Sequence, residues 1–240
     1  MTGGAGCFTT TRTTGGRVWQ ARRHADRLVR DARLLGLGKL DLDACLHELA
    51  KLAAVTRDGS RTIVRLEVRR EDDGLLCLVG SRRAWGDDPP VWRAATSPLA
   101  HPGPTPTSRV KSTERALYVA VLEAARAAGA DDALLFDGAG FLVEGARTNL
   151  VVVVADGSLL TPPLARGGVA GVAREVLFDR EAALREADLS AADVADAREL
   201  IAINAVRGAR AITQLDERPI ADARPGPWSQ RLARALEDGC

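Results

Sequence analysis

Apolar and β-branched residues dominate positions 7–13 (CFTTTRT), which predicts a strand, with Gly15-Gly16 as a turn and Arg17–Gln20 as the return strand. From about Arg22 to Leu37, Leu28, Ala32 and Leu35 recur at helical spacing, and Gly36 and Gly38 end the run. Asp41 is a candidate cap for a second helix from Leu42 to about Val55, with Leu46, Leu49, Ala50 and Ala53 on one face. Strands are expected at Thr62–Val68, Leu75–Val79 and Val91–Ala95, the first two separated by Asp72-Asp73-Gly74.

Residues 97–107 (SPLAHPGPTPT) hold four prolines and fit neither a helix nor a sheet interior. A helix is expected from about Thr113 to Ala128, ended by Gly129. Ala133–Phe136, Phe141–Glu144, Thr148–Val154, Leu159–Thr161 and Glu199–Asn204 read as strands, the third so apolar that both its faces should be covered. Helices are expected from Gly171 to Phe178 and from Trp228 to Leu236. The pattern predicts an α/β protein of two domains. A small N-terminal α/β domain, 1–96, is joined by the 97–107 linker to a larger α/β domain, 108–240.

Composition narrows the function classes. The 240 residues carry 33 Lys+Arg against 32 Asp+Glu, so no basic excess marks a nucleic-acid surface. No apolar run reaches membrane-spanning length, and the first residues lack a signal-peptide core, so a cytoplasmic location is expected. Cys7, Cys45, Cys77 and Cys240 form no CxxC pair, and the three histidines, His24, His47 and His101, stand apart; neither a metal site nor a disulfide framework is expected.

Lysine is scarce: only Lys39, Lys51 and Lys111 could serve as an amine nucleophile. Schiff-base chemistry needs such an amine aimed at a carbonyl, and Lys111 sits just past the linker. Glu144 ends the apolar FLV strand, where a carboxylate calls for a cationic partner. Gly168–Arg174 is a glycine-containing loop entering a helix, a backbone arrangement that can receive phosphate. Arg27, inside the first helix, could grip a phosphate in a bidentate way. Read singly, each also fits a solvated surface charge or an ordinary loop.

Their order is more specific. The stretch Lys111–Val154 resembles the class IV aminotransferases: Lys111, then Gly129-Ala130-Asp131-Asp132, Ala133-Leu134-Leu135, Glu144-Gly145 and Asn149. His24 to Leu28 is similar to the family's His-x-x-Arg-Leu helix, and Gly171-Val172-Ala173 to its phosphate loop. The resemblance implies a two-domain pyridoxal 5′-phosphate enzyme of fold type IV, its first domain shortened at the start, acting as a homodimer on a small-molecule substrate, with no role for nucleic acid or membrane. It implies that Lys111 holds the cofactor as a Schiff base and serves as acid and base. Glu144 would pair with the pyridinium nitrogen, and Arg27, Gly171, Val172 and Ala173 would hold the phosphate. Asn149, Asn204 and Ala205 would line the cofactor, and Thr9, Thr10 and Arg12 the substrate. Gly6-Cys7-Phe8-Thr9-Thr10 with Arg12, Lys111 with Arg115, and Ile203-Asn204-Ala205-Val206 are similar to the branch that converts 4-amino-4-deoxychorismate to 4-aminobenzoate and pyruvate. Transamination of a branched-chain, D- or other small amino acid is the alternative, and a catalytically degenerate paralogue the second. Ala173 stands where the family often has a hydroxyl, and Arg147 where small residues are usual, close to the expected cofactor face.

Overall fold

The computed structural model describes residues 6–54 and 60–237; Val55 and Cys240 lie outside them. By its contacts the chain forms two compact units. One runs to Asp88 and takes in Val110–Glu114; the other comprises Pro89–Arg109 and the chain from Arg115 on.

The first unit contains β1 (Cys7–Thr14), β2 (Arg17–Val18), α1 (Ala21–Leu34), α2 (Leu42–Ala54), β3 (Arg61–Arg70) and β4 (Leu76–Ala84). The strands form an antiparallel sheet in the order β2-β1-β3-β4. Cys7 lies opposite Val68, Thr9 opposite Leu66 and Thr11 opposite Val64. Cys7, Val64, Leu66 and Val68 pack with Ala25, Leu28 and Ala32 of α1 and Cys45 and Leu49 of α2 into one apolar core. α1 stops at Leu34 rather than Leu37. The Gly36 N–H donates to Arg33 O and the Leu37 N–H to Ala32 O, a Schellman closure that needs the positive φ (65°) of Gly36 and returns Leu37 to the core. Asp41 caps α2 through Oδ1, which accepts the Ala44 N–H at 3.0 Å.

Val110–Glu114 behaves as an added edge of this unit. The Phe8 N–H donates to Lys111 O (3.0 Å), the Thr113 N–H donates to Gly6 O (2.8 Å), and Val110 is buried in the core. Thr113 is therefore paired with Gly6, and the following helix starts three residues later than its pattern predicted.

The second unit contains β5 (Val91–Thr96), α3 (Ala116–Ala127), β6 (Asp132–Phe136), β7 (Leu142–Gly145), β8 (Asn149–Val153), β9 (Leu159–Thr161), α4 (Val172–Arg180), β10 (Arg185–Glu186), α5 (Ala191–Ala195), β11 (Glu199–Asn204), β12 (Gly208–Leu215), β13 (Arg218–Pro219) and α6 (Pro227–Glu237). Its mixed sheet runs β10-β9-β8-β11-β12-β5-β6-β7, with β13 also paired to β12. β5 lies parallel to both β12 and β6. It thus belongs to this sheet, although it precedes the prolines at which the sequence pattern places the domain boundary. One face of β6, through Ala133 and Leu135, packs on Val121 and Ala125 of α3. The alternate residue Leu134 joins Leu142, Leu150, Val152, Leu200, Ala202 and Ile212 in a second core. β8 is buried along its whole length, as its composition predicted.

Candidate active site

In the second unit the chemistry gathers around Glu144. β7 places this carboxylate 2% exposed, opposite Leu135 of β6. Oε1 accepts the Tyr118 hydroxyl at 2.7 Å, and Oε2 accepts the Val169 N–H at 2.9 Å. His101 Nε2 lies 3.3 Å from the Tyr118 oxygen and 4.0 Å from Glu144 Oε1. Burial, then the charge and hydrogen bond of Glu144, push the Tyr118 phenol above its ordinary range, so it keeps its proton. Burial pushes His101 down, against the opposing pull of Asp137.

The loop that reaches Glu144 is built on close approach. A Cβ on Gly168 would crowd Val143 O at 3.3 Å and stand in ordinary contact with Glu144 Cδ at 3.6 Å. A Cβ on Gly171 would overlap Asn149 Oδ1. Asn149, at the start of β8, donates through Nδ2 to Val169 O (2.9 Å) and so holds the same loop. Gly171 caps α4 with no side chain, and Val172 and Ala173 are buried in its first turn.

Asn204 ends β11. Its Oδ1 accepts the N–H groups of Val206 (2.9 Å) and Arg207 (2.7 Å), closing the turn into β12, and Ala205 is buried within that turn. Arg147 turns toward Trp92, with its guanidinium 4.4 Å from the ring centroid and Nη2 donating to Asp131 O (2.7 Å). Arg115 donates to Ala146 O at 2.8 Å and lies 4.4 Å from the Tyr118 ring centroid.

In the first unit Lys111 lies beside β1. Its N–H donates to the buried Asp31 Oδ2 (3.0 Å), and its Nζ lies 5.0 Å from the Phe8 ring centroid. Thr9, fully buried, accepts from Arg27 Nη2 at 2.5 Å and meets His24 Nδ1 at 2.5 Å. Burial, then the charges of Arg27, Arg12 and Lys111, hold His24 well below the usual imidazole range. Three cations around a neutral, buried imidazole make this side of the unit suited to an anion. Arg12 is itself buried, with its guanidinium 4.3 Å from the Trp19 ring centroid, and Thr10 is half-buried.

Sequence reasoning passed over Tyr118 and treated His101 as a lone linker histidine. Tyr118 is the only tyrosine in the chain, and an isolated aromatic hydroxyl in the aliphatic first half of the helix was the available signal. No local pattern announces His101, because its neighbours come from α3 and β7.

Residues 6–215 match the family model for amino-transferase class IV, and the chain belongs to that family, whose members are pyridoxal-phosphate-dependent aminotransferases and lyases. A putative branched-chain-amino-acid aminotransferase from Methanocaldococcus jannaschii is 30% identical over 115 residues; the match spans 46% of this chain and 40% of that protein. A hypothetical aminotransferase from Mycobacterium tuberculosis, in its pyridoxal-phosphate-bound form, superposes with a TM-score of 0.86 at 22% identity over 97% of this chain and 87% of its own, a likeness of fold. A 4-amino-4-deoxychorismate lyase from Pseudomonas aeruginosa gives a TM-score of 0.83 at 27% identity over 97% of this chain and 90% of its own. No helix among the described residues is long and apolar enough to cross a membrane.

Proposed function

We propose that the chain is a pyridoxal 5′-phosphate lyase that converts 4-amino-4-deoxychorismate to 4-aminobenzoate and pyruvate. The observation that carries the cofactor part is the buried Glu144 carboxylate, approached by the Gly168 backbone and held by Tyr118 and Val169. A carboxylate so placed suits a cationic ring nitrogen. The cluster of Arg27, Arg12 and Lys111 around neutral His24 suits an anionic ligand. Support for lyase over transaminase comes from the opening Gly6–Thr10 segment with Arg12, from Ile203–Val206, and from the 27% likeness to the Pseudomonas enzyme. The Methanocaldococcus relative favours the second reading, transamination of a branched-chain or other small amino acid.

When bound, the cofactor supplies an electron sink for the carbon that bears the substrate's amine. Lys111 would be the amine that holds the cofactor aldehyde and the base for the proton of that carbon. Glu144 would face the ring nitrogen and favour its protonated form. Arg27 would offer its guanidinium to a phosphate, and the first-turn N–H groups of α4, at Val172 and Ala173 behind Gly171, would offer theirs. Asn149 fixes the 169–171 loop; Asn204, its Oδ1 committed to the turn and its Nδ2 to Arg147 O, and Ala205 would line the site through their backbone. Thr9, Thr10 and Arg12 are assigned to the substrate. As a lyase, the chain would take the proton from that carbon and return a proton to the enolpyruvyl group as it departs as pyruvate, leaving the ring aromatic.

The deciding experiment supplies 4-amino-4-deoxychorismate to cofactor-loaded protein with and without a keto-acid acceptor. Formation of 4-aminobenzoate and pyruvate without acceptor is the expected result. Acceptor-dependent amino transfer would establish the second reading. Loaded protein that does neither would be a degenerate paralogue. Lys111→Ala should lose the visible absorption band that borohydride removes from the parent.

A further inference from the structure

His101 sits at the head of a directional chain. The Gly103 N–H donates to His101 Nδ1 at 3.1 Å, so Nδ1 carries a lone pair. Burial keeps the ring neutral, and its one proton is therefore on Nε2. Nε2 faces the Tyr118 oxygen at 3.3 Å, and the Tyr118 proton then goes to Glu144 Oε1 at 2.7 Å. The turn beneath the imidazole is fixed. The His101 N–H is bonded to Phe136 O (2.8 Å), and Gly167, at φ 100°, approaches so closely that a Cβ would meet Gly103 O at 2.5 Å and His101 Cε1 at 3.1 Å.

We propose that His101 and Tyr118 are positioning residues: a donor chain, His101 Nε2–H to Tyr118 and Tyr118 O–H to Glu144, that holds the Glu144 carboxylate ionised and aimed. This rests on the reading that Glu144 takes up the cofactor's ring nitrogen. Each donor acts through the next, and neither is assigned contact with substrate. The charged groups facing the chain are Glu144 itself, Arg115 over the Tyr118 ring, and Asp137 beside His101 with its partner Arg166. A hydrogen bond to a charged group stabilises that charge strongly, so deleting the Tyr118 donor should favour the neutral carboxyl.

The test reads Glu144 directly, in the full chain without cofactor. Glutamate labelled with carbon-13 at the carboxyl is titrated by NMR, with Glu144→Gln assigning the signal. Tyr118→Phe should raise the proton affinity of Glu144 about tenfold, a shift of roughly one pH unit. His101→Ala should shift it in the same direction by less, and His101→Gln, which keeps a donor, should restore most of the parent value. An unmoved Glu144 titration in both folded Tyr118→Phe and folded His101→Ala overturns the proposal. If Tyr118→Phe does not fold, the contrast between His101→Ala and His101→Gln decides it. Cofactor affinity of Glu144→Gln tests the underlying reading separately. Unchanged binding and absorption in that variant would refute the role of Glu144 at the ring nitrogen while leaving the titration result intact.

Discussion

His24 and Gly171 show how single positions carry consequences beyond their own contacts. His24 is fully buried and held neutral, first by burial and then by Arg27, Arg12 and Lys111. Its folded pKa is lowered, so the unfolded chain takes up a proton on falling through about pH 6.5 while the folded chain does not. Stability is therefore full above that pH and is lost below it, by roughly 1 kcal/mol at pH 5.5 for one histidine. His101, shifted in the same direction, adds to the loss. Urea unfolding at pH 7.5 and 5.5 should show the decline, and His24→Gln should remove the His24 share of it. At Gly171 any Cβ runs into Asn149 Oδ1. Gly171→Ala should cost roughly 1–3 kcal/mol as an overpacked site. The double variant with Asn149→Ala should recover part of that, which a thermal-unfolding mutant cycle would measure as non-additivity.

Elements with strong local signals match the pattern within a few residues, and those held by distant partners do not. α2 starts at Leu42 because Asp41 caps it, and β9 and β11 cover the expected spans around the apolar runs Leu159-Leu160 and Leu200–Ile203. β12 was not predicted, because GARAITQL mixes small, charged and apolar residues; it is a strand because β11 and β5 flank it. α3 begins at Ala116 rather than Thr113 because Thr113 is bonded to Gly6, 107 residues away. α5 has only five residues, too few for a periodic signal, and rests on a capping box in which Ser190 accepts the Asp193 N–H and Asp193 accepts the Ser190 N–H. Ser190→Ala should lower stability by about 1 kcal/mol in chemical unfolding, with Asp193→Ala giving a similar loss. Of the site, Lys111, Glu144 and Arg27 were legible as residue types in a family-like order. The His101–Tyr118 approach to Glu144 was not, since it joins a loop, a helix and a strand.

For the whole molecule, neither compact unit is one continuous stretch of chain. Val110–Glu114 completes the first unit: Val110 is buried in its core, and Lys111 is bonded to both Phe8 and Asp31. A fragment cut at residue 96 would lose that segment and carry β5 without its partners β6 and β12, leaving Trp92, otherwise 2% exposed, without its core. Such a fragment should give poorly dispersed amide NMR signals, and one cut after Asp88 with residues 110–114 joined by a short linker should be better ordered. Equal dispersion in the two would show that the returning segment adds nothing to the first unit.

Sequence alone determined the alternation of strands and helices, the turn glycines and the family-like order of Lys111, Glu144 and the Gly171 loop, because those are short-range properties of side-chain type and spacing. Tertiary structure decided that β5 and β12 join one sheet, that Lys111 is bonded beside β1, and that Glu144 meets Tyr118 and Val169. Each of those depends on backbone and side-chain partners far apart in the chain, and their pairing is set by burial and hydrogen-bond satisfaction rather than by local pattern.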